Sequence, residues 1–339
     1  MRSRTLALLA LVTLAAVLLA WGLQRGPGPV ASGQLLLPAL ATELNDVTAL
    51  VLEPAGGEPF RLERTADGWQ VPAKGGYRAD AGQLRQFLVR LAEARIVETK
   101  TANPALHDRL GVEALDGRPG SGVLVRLEGA AALAPLLIGQ RETRGLRGTY
   151  LRRADEDTAL LVDQDLQPER EPLGWLERDL LDIPPEEIVS LEIVHPDGEV
   201  LGIDRDELGI FRIAPLPEGY RPSGPTAAES LVRALSGLRL DDVRPLAGWE
   251  PEGPLTIATF MLRDGVQLEA RRWETEGAAG GAAFWVAFSA GHGLAVDEAA
   301  SARAHDLNAR LGPWLYRLPA WKHEQLARRG ADLLVPLED

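Results

Sequence analysis

One phrase of this sequence occurs twice. Gly76-Tyr77-Arg78 returns as Gly219-Tyr220-Arg221, and Leu88-Val89-Arg90 returns as Leu231-Val232-Arg233, at the same spacing. A chain that repeats a strand–turn–helix phrase at a period of about 140 residues is a duplicated domain, because solenoid periods are far shorter. Whatever fold the first copy adopts, the second must therefore be able to adopt as well.

Around the first copy, Val47 to Leu52 alternates loosely, "PAGGE" has turn chemistry, and Phe60, Leu62 and Arg64 sit in a second strand. Asp67-Gly68 then turns into a third strand that starts at Trp69. Around the second copy, Ile188, Leu191 and Ile193 form a strand, Pro196-Asp197-Gly198 a turn, and Val200, Leu201 and Ile203 the next strand. Phe211 stands where Trp69 stood. Each copy reads as a three-strand meander feeding a helix.

In the first helix Asp80 is placed to cap, and Leu84, Phe87, Leu88 and Leu91 fall on one helical stripe. In the second, Ser223 or Thr226 can cap, Pro225 suits the first turn, and Leu231, Leu235 and Leu238 repeat the stripe. A strand follows each helix, at 95–99 and at 238–243. The segments 122–153 and 255–289 then each read as strand, strand, Gly-rich loop, strand. Both copies close on a similar phrase, "LGWLERDLLDIP" and "LGPWLYRLPAW", which pairs Trp175 with Trp314 and Arg178 with Arg317.

The N-terminus constrains location. Thr5 to Leu23 carries no charge, and as a helix it spans roughly 28 Å, near the hydrocarbon thickness of a bilayer. Arg2 and Arg4 precede it, which favours a cytoplasmic N-terminus. The stretch exceeds the core of a signal peptide, so it reads as a retained anchor. The rival is cleavage near Ala20 and Gly22. The expected organisation is an anchor over 1–25, a linker over 26–40, repeats over 41–185 and 186–325, and a tail over 326–339. The expected fold class is α+β: a transmembrane helix, then two tandem repeats, each an antiparallel meander sheet packed against one or two helices.

Charge and composition exclude several functions. The net charge is −13, and the unopposed arginines Arg2, Arg4 and Arg25 all lie at the N-terminus, so the remainder is more acidic still. Such a surface repels phosphate backbones, which excludes nucleic acid as a partner. With no cysteine, disulfides, thiolate metal sites, Cys nucleophiles and acyl-Cys anchors are excluded too.

No catalytic motif survives inspection. His195-Pro196-Asp197 is a turn whose counterpart "PAGG" has neither imidazole nor carboxylate. The run "DRDELG" at 204–209 lacks calcium-loop ligands, with Leu208 at one ligand position and Pro215 at the closing one. Asp155, Asp157, Asp163 and Asp165 could gather round a hard cation, but they bracket the short strand "ALLV", whose ends are normally polar. His107, His195, His292, His305 and His323 form no zinc-binding spacing, and no nucleophile elbow or P-loop is present. "GAAGGA" at 277–282 joins two strands and reads as a hairpin loop. No catalytic, cofactor or metal residue is assigned. Trp314, Tyr316 and Trp321 read first as core packing or docking onto the first repeat; the alternative makes them a candidate interaction surface for a partner protein or the membrane face.

Gly68-Trp69, "YRADAGQLRQFLVRLAEARI", "RLGV" at 109–112, "LLIGQ" at 136–140, "TYLRR" at 149–153 and "LGWLERDLLDI" resemble, in order and spacing, the bacterial family named domain of unknown function 4340. The resemblance implies a single-pass envelope protein working beside the permease and auxiliary subunits of gliding-motility-type ABC transporters, and it supplies no catalytic residue. The resulting expectation is a non-enzymatic accessory protein of the bacterial cytoplasmic membrane, with most of the chain outside the cytoplasm. The alternative is an envelope carbohydrate-binding module or hydrolase that uses acidic residues between the repeats.

Overall fold

The computed structural model describes residues 32–116, 119–129, 133–143, 145, 147–250, 253–276, 282–292 and 297–337. The anchor stretch lies outside these residues. Among the described residues no helix is long and apolar enough to cross a membrane. The chain divides into two units, Met1–Leu176 and Glu177–Asp339. This division lies upstream of the repeat boundary at 185/186 read from the sequence.

In the first unit the strands are β1 (Ala49–Pro54), β2 (Phe60–Thr65), β3 (Gly68–Val71), β4 (Tyr77–Arg78), β5 (Ile96–Thr99), β6 (Val123–Glu128), β7 (Leu136–Glu142), β8 (Gly148–Arg153) and β9 (Leu160–Val162). They form one sheet in the order β4-β3-β2-β1-β6-β7-β8-β9-β5, with every neighbour antiparallel. Its helices are α1 (Leu40–Glu43) and α2 (Ala81–Glu93). The expected stripe on α2 is present, since Leu84, Phe87, Leu88 and Leu91 are all buried. The Asp80 carboxylate accepts from Gln83 N at 2.8 Å and caps the helix as its position implied. The linker reading ends early, for Leu36, Leu37 and Leu40 are buried and Leu36 N donates to Ala94 O. Apolar side chains of that size leave water once a sheet is there to cover them.

In the second unit the strands are β10 (Asp179–Leu181), β11 (Ile188–Val194), β12 (Val200–Arg205), β13 (Phe211–Ile213), β14 (Tyr220–Pro222), β15 (Leu238–Arg239), β16 (Asp242–Pro245), β17 (Leu255–Leu262), β18 (Val266–Glu276), β19 (Ala282–His292), β20 (Trp314–Arg317) and β21 (Leu334–Pro336). The main sheet runs β13-β12-β11-β17-β18-β19-β20-β16. Strand for strand, this is the first unit's order from β3 to β5. The duplication seen in the sequence is thus a duplication of topology. Burial alternates strictly along β17, which is the signature of a sheet covered on one face.

Apart from β14, the second unit departs from the first in four places. A helix, α4 (Glu298–Leu311), enters before the last sheet strand and packs on β18 and β19. The central helix α3 (Ala227–Val232) is short and tightens into a 3-10 turn over Arg233–Leu235, so Leu238 begins a strand instead of extending the stripe. Thr226 holds the cap position without a side-chain bond, and Ser223 instead donates its N–H to Leu333 O. The closing phrases do not occupy equivalent places. Trp175 lies in a 3-10 turn edge-on to Phe87 at 5.7 Å, whereas Trp314 opens a sheet strand that matches β9. The final segment is also more than a tail: after α5 (Ala320–Gln325) it forms α6 (Gly330–Leu333) and β21, which pairs with β14.

Candidate functional site

The two copies of Gly-Tyr-Arg show where the units differ most. Gly76 and Gly219 share a left-handed backbone, with φ of 81° and 80°, a conformation glycine adopts without strain. In the first unit the chain then pairs back onto the sheet, with Val71 opposite Tyr77 and Gln70 opposite Arg78. Ala79 N donates to Trp69 O at 2.8 Å. By antiparallel alternation Trp69 and Val71 form the hydrogen-bonded pairs, so Gln70 and Arg78 form the close, non-bonded pair. Tyr77 is fully buried.

In the second unit β14 does not join β13. It pairs with β21 in a separate two-stranded sheet, and Tyr220 is 44 % exposed. Between β13 and the β14–α3 segment a groove of about 710 Å³ remains. Ile210, Phe211, Ile213, Leu216 and Pro222 give it apolar walls, and Arg212 and Arg221 line it as well. Ile210 and Leu216 are 47 % and 45 % exposed. Ala214 N donates to Gly202 O across the β12–β13 ladder, so the alternation turns Phe211 and Ile213 outward. Among the described residues no strand pairs with that outer edge.

The charges disfavour closing the groove with β14. Aligned on the first unit, Arg212 takes the place of Gln70 and Arg221 that of Arg78. Docking β14 onto β13 in that register would put two guanidinium groups opposite each other in a close pair, which is destabilising. Arg212 is instead drawn to the turn below it, where its Nε donates to Asp206 Oδ2 at 2.6 Å. Asp206 also accepts from Ile210 N at 2.8 Å and from Leu208 N at 3.0 Å. The bond from Ile210 and then that from Arg212 hold its carboxyl below the usual carboxylate range. Arg221 has no side-chain partner among the described residues.

The residues singled out from sequence are dispersed. Tyr316 is fully buried with its hydroxyl 3.3 Å from Leu311 O, Trp314 is half-buried, and Trp321 is 57 % exposed. They form no common surface. The second unit's aromatic surplus gathers elsewhere: Trp249 lies edge-on to Trp273 at 5.1 Å, and Arg244 stacks over Trp249 and Trp285. His195 is buried with Nε2 3.1 Å from Arg328 O, and Asp197 pairs with Arg329. Asp206 closes the "DRDELG" turn on its own backbone. Asp163 accepts from Arg95 N and Asp165 pairs with Arg141, while Asp155 and Asp157 are exposed. Among the described residues no three carboxylate or imidazole groups converge as metal ligands. The tip of "GAAGGA" lies outside the described residues, though Glu276 and Ala282 on either side of it are paired.

A second depression, of about 490 Å³, is lined by Arg272, Phe284, His323 and Arg328. The Arg272 guanidinium lies 4.3 Å from the Phe284 ring centre, and His323 stacks on the same ring at 4.2 Å. Burial, and then the charge of Arg272, lower the His323 pKa.

These features define a duplicated α+β protein whose second unit has an unfilled strand position at one sheet edge. Its family follows from the sequence match. The family model described as Domain of unknown function (DUF4340) matches residues 69–255, from β3 to the start of β17, and the chain belongs to that family. No curated protein and no solved structure matches the chain. The sequence signal for the groove was Gln70/Arg78 set against Arg212/Arg221, which becomes visible only once strand register is known.

Proposed function

We propose that this chain is a non-enzymatic accessory protein, tethered to the bacterial cytoplasmic membrane by Thr5–Leu23, that docks onto a subunit of an ABC-type transport complex outside the cytoplasm. The observation that carries this reading is the groove beside β13. The first unit covers the same edge with its own strand, while the second leaves it open with apolar walls. Exposed sheet edges are either protected or used for pairing with another chain. His195, Asp206 and Asp163 each bond to backbone of a turn or loop, which supports a structural reading of those three. A photo-crosslinking amino acid placed at Leu216 of the full-length protein in native membranes tests the reading. The expected result is an adduct with a permease or auxiliary subunit. No adduct, or the same adduct from Leu208 in the exposed turn outside the groove, overturns it.

A further inference from the structure

Resting on the docking reading above, we infer that the groove takes one extended segment of its partner as an antiparallel strand on β13, with an acidic side chain opposite Arg212 and beside Arg221. The backbone supports strand addition. Phe211 and Ile213 face outward as Trp69 and Val71 do in the first unit, where β4 meets them. The occupant therefore makes the main-chain bonds that β4 makes there.

The side chains specify the segment. At the position matching Gln70–Arg78, side chains of neighbouring strands approach most closely. On β13 that position belongs to Arg212, and the second guanidinium, Arg221, reaches the same groove without an ion pair among the described residues. A strand bearing Glu or Asp there meets the Arg221 guanidinium and that of Arg212, whose charge Asp206 partly offsets. A strand bearing Lys or Arg meets like-charge repulsion there. Adjacent positions of the occupant face Ile210, Phe211, Ile213 and Leu216 and call for apolar or aromatic side chains, as Tyr77 supplies in the first unit. The two arginines make this groove a local exception to the chain's overall negative charge.

The test uses a peptide with the sequence of residues 75–81, the segment that fills the first unit's slot, labelled with a fluorophore. One version keeps Arg78 and the other carries Arg78→Glu. Fluorescence anisotropy is measured against the full-length protein in detergent. The Glu peptide is expected to bind about tenfold more tightly than the Arg peptide. Raising salt should narrow the gap. In protein carrying Arg221→Glu the preference should shrink or reverse. Equal binding of the two peptides, or tighter binding of the Arg peptide, overturns the charge assignment. No binding of either, with the amides of Phe211 and Ile213 exchanging as fast as before, overturns strand addition. Both failures leave the crosslink from Leu216 standing as the separate test of docking.

Discussion

Replacing Lys322 by Met tests how the second unit ends its short helix. Lys322 is 2 % exposed, and its ammonium donates to Arg233 O at 3.0 Å, Ala234 O at 2.9 Å and Ser236 O at 2.6 Å. Carbonyls at a helix C-terminus have no intrahelical donor, and a cation there also meets the negative end of the helix dipole. Met keeps the aliphatic stem and removes the charge. Arg233 O keeps a second bond, from Ser236 N, so the loss falls on Ala234 O and Ser236 O. A buried carbonyl left without a donor costs about 1–3 kcal/mol, and the lower end applies because water can reach part of the site. Removing the buried charge recovers some desolvation energy, yet the carbonyls stay behind, so the loss wins. The variant should lose about 2 kcal/mol, or about 4–8 °C in melting temperature for a unit of this size. Urea unfolding followed by tryptophan fluorescence reads it well, because Trp249, Trp273, Trp285, Trp314 and Trp321 all lie in the second unit. A variant as stable as the parent would refute the capping role.

Three further outcomes follow from the same contacts. Burial lowers the Lys322 pKa from 10.5 to about 8, against the opposing charge of Asp182. Between those values the unfolded chain binds more protons, so the stability gap between parent and Lys322→Met should widen as pH rises from 8 to 10, and a constant gap would contradict it. Asp80→Ala removes the bond from Gln83 N and should cost about 1 kcal/mol by chemical denaturation, with Asp80→Asn losing less. Tyr316→Ala, in the core, should cost about 3 kcal/mol or more in the same assay, whereas exposed Trp321→Ala should stay within about 0.5 kcal/mol.

Much of the fold is legible in the sequence, because periodicity and turn chemistry act locally. The α2 stripe, the Asp80 cap and the meander turns at Asp67-Gly68 and Pro196-Asp197-Gly198 all stand as read. The duplicated order of strands follows from the repeated phrases. Legibility fails where distant segments decide the outcome. Leu238 continues a helical period, yet β10 pairs with it as a strand. Trp175 and Trp314 share a phrase but sit at different points of the topology. Trp314, Tyr316 and Trp321 are neighbours in sequence, but a strand and then a helix turn them to different environments. The groove is a register effect: each Arg is unremarkable until it is set opposite the other.

Amide hydrogen exchange on the unliganded full-length protein measures the open slot most directly. Val71 sits in the paired edge of the first unit, opposite Tyr77, and Ile213 holds the same position in the second. Slow exchange is expected at the Val71 amide and fast exchange at the Ile213 amide. Equal protection at the two would mean that the second unit's edge is already filled, and would contradict the open slot.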